Sequence, residues 1–216
     1  MQITALSAQL RNPDRVNVSI DGAYRLSLDI SQVTDLRVKV GQELNADDLV
    51  LLEQESQFGK LYARALEYCM LRPRAIKEMR DYLWRKTRPV RRRSPKTGEL
   101  IERPGVNSAI AERVLQRLID KKYLNDEQFA RFWFEHRFVK KGTSLRRLKL
   151  ELAQKGIDRD IVEQLASEHI RSDTEELQKI IAKKRHKYPD RQKLLAYLAR
   201  QGFSYDDIVA AVDGDA

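Results

Sequence analysis

Cysteine is nearly absent from this 216-residue chain, with a single residue at Cys69. That rules out an internal disulfide framework and suits a reducing compartment. Histidine is also scarce. His136, His169 and His186 are too scattered for a metal motif, and there is no second thiol to help them. No apolar run approaches the ~20 residues of a membrane span. The start, Met1-Gln2-Ile3-Thr4, has neither the charged beginning nor the apolar run of a signal peptide, so a cytoplasmic protein is expected. Missing too are a glycine-rich phosphate loop and a Gly-x-Ser-x-Gly elbow. Paired carboxylates such as Asp47-Asp48 and Asp206-Asp207 sit where helices should begin and complement the helix dipole. These absences point away from an enzyme and imply no metal or cofactor.

What the chain does have is positive charge, unevenly spread. The formal net charge is +9. Residues 1–56 hold five Lys/Arg against nine Asp/Glu, leaving +13 for the remainder. The basic part is therefore expected to meet an anionic partner. Hydrophobic residues at 42% and charged residues at 34% describe a globular protein with a well-solvated surface.

The first part reads as β-rich. Val16, Val18 and Ile20 alternate with polar residues, as do Tyr24, Leu26 and Leu28, and Asp21-Gly22 between them is a hairpin signal. Ile3 to Leu10 offers another strand. After Gly41, Asn45 marks a helix cap before Leu49–Leu52. From about residue 57 the period becomes helical. Phe58, Leu61, Tyr62, Ala65 and Cys69 share one face, which makes Cys69 a buried structural thiol. A helix is expected over Arg74–Lys86 after the Arg72-Pro73 break, and another from Asn107 carrying Ile110, Val114 and Leu118. Further starts are signalled at Asn125 or Asp126, Thr143, Asp158, Ser172 and Ser204.

These helices repeat. Leu152-Ala153-Gln154-Lys155-Gly156-Ile157-Asp158 aligns with Leu198-Ala199-Arg200-Gln201-Gly202-Phe203-Ser204 at an offset of 46 residues. Each segment ends a helix with glycine, inserts one apolar residue and caps the next helix. A third copy is placed at Tyr82-Leu83-Trp84, separated by an insertion at about 87–106. The expected fold is thus mainly α: a small N-terminal β-rich domain (1–56) and three tandem three-helix repeats (57–124, 125–171 and 172–216). The insertion in repeat one concentrates charge, since residues 85–106 hold eight basic and two acidic residues. Ser94-Pro95-Lys96-Thr97-Gly98 has turn chemistry, so a protruding basic β-hairpin and an unstructured loop are both compatible with it.

Three basic clusters are the candidate contacts. Arg91, Arg92, Arg93 and Lys96 lie in the insertion. Lys140 and Lys141, with Arg146, Arg147 and Lys149, surround a helix start, where backbone amides and cations together suit an anion. Lys183-Lys184-Arg185 falls late in a helix, where cations simply favour the dipole. Arg72 and Arg74 flank the break before the second helix of repeat one and join the candidate set. Phe129, Phe132 and Trp133 share a helix face and read as core. Tyr82 and Trp84 face different ways, so at least one is partly exposed.

Several segments together resemble the RecX family of recombination regulators. Ala65-Leu66-Glu67-Tyr68, Leu71-Arg72-Pro73-Arg74 and Glu78-Met79-Arg80-Asp81-Tyr82-Leu83 are similar to its first repeat. Lys122-Tyr123-Leu124-Asn125-Asp126-Glu127-Gln128-Phe129-Ala130 resembles its junction between repeats one and two. Gly142, Leu148-Lys149-Leu150-Glu151-Leu152 and Lys155-Gly156-Ile157 resemble the second repeat, and Arg200-Gln201-Gly202-Phe203-Ser204 the turn closing the third. Arg15-Val16-Asn17-Val18 and Val40-Gly41-Gln42-Glu43-Leu44 are similar to the N-terminal extension many members carry. The insertion at 87–106 departs from the compact family pattern. The resemblance implies a non-catalytic monomer that binds the RecA–DNA filament and inhibits strand exchange, ATP hydrolysis and co-protease function in repair and the SOS response. From the residues alone, a helix-turn-helix-like DNA- or RNA-binding regulator is the other reading, although the basic residues lie near turns and no heptad seam appears.

Overall fold

The computed structural model describes residues 1–94, 97–141, 143–168 and 173–214, with side chains at 137–141 outside the description. Contacts divide the chain into two compact units, Met1–Arg72 with Met79–Tyr123, and Pro73–Glu78 with Leu124–Ala216.

The first unit opens with an antiparallel meander of β1 (Ile3–Ala8), β2 (Arg15–Ile20) and β3 (Ala23–Asp29). The Asp21-Gly22 turn joins β2 to β3 with both residues at positive φ, 48° and 82°, the geometry that matches the strand twist. Register pairs Val18 with both Leu6 and Leu26. This places Ile3, Val18, Ile20, Leu26 and Leu28 in one core with Val38, Leu44 and Leu52. Asp29 caps the short helix α1 (Ile30–Asp35) and forms a capping box with Gln32.

Asn45 then starts α2 (Ala46–Met70), also through a capping box, with Asp48. Here one helix of 25 residues replaces the two apolar runs read separately in the sequence. Between Asn45 and Met70 there is no proline and no internal cap to stop it. The boundary expected between residues 56 and 57 therefore falls inside α2. Gly59 lies against Gln32, whose Oε1 would be 2.5 Å from a β-carbon at that position, and Gln32 donates to the Glu55 carbonyl at 2.6 Å. The absent side chain lets α1 rest on α2. On the expected apolar stripe Leu61 and Ala65 are buried, whereas Cys69 is only half-buried.

Helix α3 (Ile76–Thr87) carries Met79 and Leu83 into the same unit, together with Ile110, Val114, Leu115 and Leu118 of α4 (Ser108–Asp120). Between α3 and α4 the insertion folds as a two-stranded ribbon of β4 (Val90–Arg93) and β5 (Leu100–Arg103). Its base closes through Val106 N–H to the Lys86 carbonyl at 3.0 Å. Gly105 is required there, because a β-carbon would sit 1.9 Å from the Thr87 carbonyl oxygen.

The second unit holds two three-helix sets. In the first, α5 (Asp126–Lys141), α6 (Leu145–Gln154) and α7 (Arg159–Glu168) enclose Phe129, Phe134, Leu148, Leu152, Ile157, Val162 and Leu165. Of the aromatics read as core, Phe129 is fully buried and Trp133 partly so, while Phe132 is half-buried and stacks on His136 at 4.0 Å. Phe134, one position further along, completes the core instead. In the second set, α8 (Asp173–Lys184), α9 (Arg191–Arg200) and α10 (Tyr205–Asp213) enclose Leu177, Ile181, Leu194, Leu198, Phe203 and Ile208.

The 46-residue repeat is a structural repeat. Leu152 and Leu198 are both fully buried, Gly156 and Gly202 have φ of 79° and 91°, and Ile157 and Phe203 turn into their cores. Ser144 caps α6 in place of the expected Thr143, and Ser204 caps α10 as expected. Ser172 lies outside the described residues.

Candidate nucleic-acid interface

The ribbon presents its charge without shelter, since all eight residues of β4 and β5 are exposed. Opposed residues share a face in an antiparallel pair. Arg91 with Glu102 and Arg93 with Leu100 therefore lie on one face, and Arg92 with Ile101 on the other. Arg91 pairs with Glu102 at 3.2 Å, yet its side chain stays 72% exposed. Arg92 and Arg93 make no ion pair among the described residues. The ribbon thus offers cations on both faces, and its exposed apolar residues Val90, Leu100 and Ile101 give those faces an amphipathic character. Below it, Trp84 is 56% exposed and Arg88 stacks on its ring at 4.2 Å. Tyr82, on the other side of α3, is half-buried against Tyr68, ring to ring at 4.5 Å.

In the second unit the start of α6 lies beside a groove of about 840 Å³ whose lining includes Arg146, Leu150, Ile157, Arg159, Arg200 and Phe203. The candidates here separate by what they touch. Arg146 is exposed. Arg147 is committed internally: it donates to the Arg200 carbonyl at the end of α9 and to Glu151 at 3.4 Å. Lys149 pairs with Glu163 at 2.6 Å, and that ammonium holds the Glu163 carboxyl below its ordinary range. Arg72 and Arg74 are half-buried and engaged by other groups of the chain. Lys96 lies outside the described residues, as do the side chains of Lys140 and Lys141.

Sequence reading missed a further basic group. Arg15 on β2 and Lys60 and Arg64 on α2 face one another in the first unit. Burial and the charges of Arg15 and Arg64 lower the proton affinity of Lys60. The signal was present as a four-residue spacing on one helix, but the strand residue that joins it is 45 positions away from Lys60. Among the described residues no His/Cys/Asp/Glu group could hold a metal ion, and no helix is long and apolar enough to cross a membrane.

Comparison with known proteins places this architecture. Residues 1–45 match the regulatory protein RecX N-terminal domain, 125–165 the RecX second three-helix domain, and 172–212 the third. The regulatory protein RecX of Bacillus pumilus is 31% identical over 97% of this chain and 76% of its own length. That of Bacillus subtilis is 31% identical over 98% and 76%. In fold, a crystal structure of regulatory protein RecX superposes with a TM-score of 0.71 over 98% of both chains at 20% identity. RecX from Lactobacillus salivarius gives 0.53 over 73% of this chain and 96% of that one, at 23% identity. With both the family domains and near-full-length relatives agreeing, the chain belongs to the RecX family of regulatory proteins.

Proposed function

We propose that the protein binds the RecA recombinase filament on DNA and restrains strand exchange, ATP hydrolysis and co-protease function, acting in DNA repair, recombination and the SOS response. The relationship to regulatory RecX proteins along nearly the whole chain carries this reading. It acts in the cytoplasm as a monomer, by binding rather than by chemistry, and needs no cofactor. The N-terminal part (1–56) and the repeats 57–124, 125–171 and 172–216 serve as its working modules.

Contact with DNA is electrostatic and independent of base sequence, because the exposed cations are suited to phosphates and no base-reading helix is required. Arg91, Arg92, Arg93 and Arg146 are the best-supported contacts, being exposed and, except for Arg91, unpaired in the described residues. Arg72, Arg74, Lys96, Lys140, Lys141 and Lys149 remain in the proposed surface, whereas Arg147 has a structural duty. The test is RecA ATPase on single-stranded DNA with and without this protein. Substoichiometric protein lowers the rate. An unchanged rate at equimolar protein refutes the reading in favour of a nucleic-acid regulator that does not act through RecA.

A further inference from the structure

Buried cations are costly unless a carboxylate or an anion accompanies them, and the first unit holds one that lacks full compensation. Arg15 is only 9% exposed. Its Nη2 donates to the carbonyl of Ser27 at 2.7 Å and to that residue's Oγ at 3.1 Å, and Ser56 Oγ donates to the same carbonyl at 2.8 Å. These partners are neutral. They fix the guanidinium firmly and leave its charge in place. The carboxylate nearest by charge is Asp29, which is already occupied in capping α1 and accepting from Ser31.

Two further cations are set over it. Lys60 and Arg64 are four residues apart on α2, about one helical turn or ~6 Å along the axis, and both are exposed. Neither forms an ion pair among the described residues. Of the other carboxylates of α2, Glu53 pairs with Arg25 at 2.7 Å and Glu55 with Arg113 at 2.8 Å, while Glu67, three residues past Arg64, forms no ion pair with either cation among the described residues. Like charges at this helical spacing destabilise the helix, and Lys60 feels burial and both arginines as a lowered proton affinity. An arrangement that costs the free protein stability is compensated when an anion binds. The Tyr24 ring, within electrostatic reach of Arg15, is 59% exposed. Arg64 and Glu67 both act on Tyr82, over whose ring Lys86 Nζ sits at 4.9 Å.

We propose that Arg15, Lys60 and Arg64, with the exposed Tyr24 ring on the Arg15 side, form a second contact surface for the phosphate backbone of single-stranded nucleic acid. Lys60 and Arg64 reach the phosphates, and Arg15 supports them with fixed positive potential from below. The exposed ring favours a single strand, whose unstacked bases can lie on it, over a duplex or an acidic peptide. This rests on the nucleic-acid part of the function proposed above, and adds a site on the N-terminal sheet and α2 to the one on the ribbon.

The experiment uses the full chain and a fluorescent oligo-dT of about 20 nucleotides, long enough for one such site, with anisotropy followed across a salt series. Lys60→Gln with Arg64→Gln is compared with Lys121→Gln plus Lys193→Gln, an equal charge loss on exposed positions outside every candidate cluster, and with Arg91→Gln, Arg92→Gln and Arg93→Gln on the ribbon. Losing two single-strand contacts lowers the log–log salt slope by about 1.4 and affinity roughly 25-fold near 0.1 M salt. The thermal midpoint of that variant stays level or rises, because a like-charge pair is relieved. The distant pair changes neither quantity appreciably. Unchanged binding by the Lys60/Arg64 variant overturns the proposal, as does an equal loss in the distant pair, which would reduce the effect to bulk charge. Competition by poly-glutamate as strong as by unlabelled oligonucleotide overturns it in favour of an acidic protein surface. If only the ribbon variant weakens binding, this site falls and the DNA contact proposed earlier stands. Absence of binding by the unaltered protein removes both.

Discussion

Replacing Arg147 and Arg146 separately by alanine distinguishes a cation that holds the fold from one proposed to meet nucleic acid, although the two are adjacent in sequence. Arg147 reaches from α6 to the Arg200 carbonyl at the end of α9, and also contacts Glu151, which accepts from Trp133 Nε1 at 3.2 Å. A charged donor on a carbonyl contributes about 1.5–3 kcal/mol when well buried. The Arg147 side chain is 36% exposed, so solvent screening reduces the expected loss to about 1–2 kcal/mol. For a chain of this size that lowers the thermal midpoint by roughly 2–8 °C. Arg146 is exposed and should cost within ~0.5 kcal/mol, while removing up to ~0.9 from the salt slope of duplex binding. Thermal unfolding and anisotropy on both variants give four numbers. The reasoning fails if Arg147→Ala leaves the midpoint unchanged and weakens DNA binding as much as Arg146→Ala.

Glycine and surface charge yield further expectations. Gly202→Ala puts a β-carbon 2.5 Å from Ser144 Oγ and 2.8 Å from Arg147 Cβ at a φ of 91°, so it should cost about 2–4 kcal/mol by denaturant unfolding. Gly22→Ala, with similar φ but open space, should cost only about 1–2 kcal/mol; equal costs would show that the repeat junction is not tightly packed. Changing Arg91, Arg92 and Arg93 together should flatten the salt dependence of duplex binding by up to ~0.9 per lost contact without shifting the melting temperature, and an unaltered slope would leave the ribbon only solvated. Asp213 is held below its ordinary value of 3.8 by its hydrogen bonds from Arg191 and that residue's charge. The stabilisation is therefore complete above pH 3.8 and fades as pH falls through the lowered value. Carboxyl titration by NMR should show Asp213 returning to the ordinary range in Arg191→Ala.

Periodicity made much of this fold legible. The alternation around Asp21-Gly22, the Gly-apolar-cap segments at 156–158 and 202–204, and the caps at Asn45, Asn107 and Ser204 are local signals, and local chemistry decides them. The failures are equally physical. Two apolar stretches of α2 looked like two helices because the sequence shows where a helix can start more clearly than whether it must stop. Phe134 and Phe132 cannot be ranked from the sequence because the three consecutive aromatics Phe132-Trp133-Phe134 span too much of the helix to give one unambiguous apolar face until α6 and α7 are placed against it. For the candidate interface, counting cations found the ribbon, but Arg147 and Lys149 could be sorted from Arg146 only once Arg200 and Glu163 were known to face them. The Arg15–Lys60–Arg64 group depends on a strand packing on a helix, a long-range fact with no local signature.

The ribbon has a further consequence for how the protein behaves in solution. Among the described residues neither β4 nor β5 has a third strand beside it, so each leaves a row of backbone donors and acceptors that another copy could extend, with Val90, Leu100 and Ile101 ready to be covered. Three successive arginines along β4 oppose such pairing, because an approaching second ribbon brings the same charges within a few ångströms. Salt weakens that opposition as the Debye length shrinks from ~10 Å at 0.1 M to ~3 Å at 1 M. The same residues thus give opposite responses to one variable. On the function proposed above, high salt should release nucleic acid from the ribbon and at the same time expose it to self-association, so that both responses would share a common electrostatic origin.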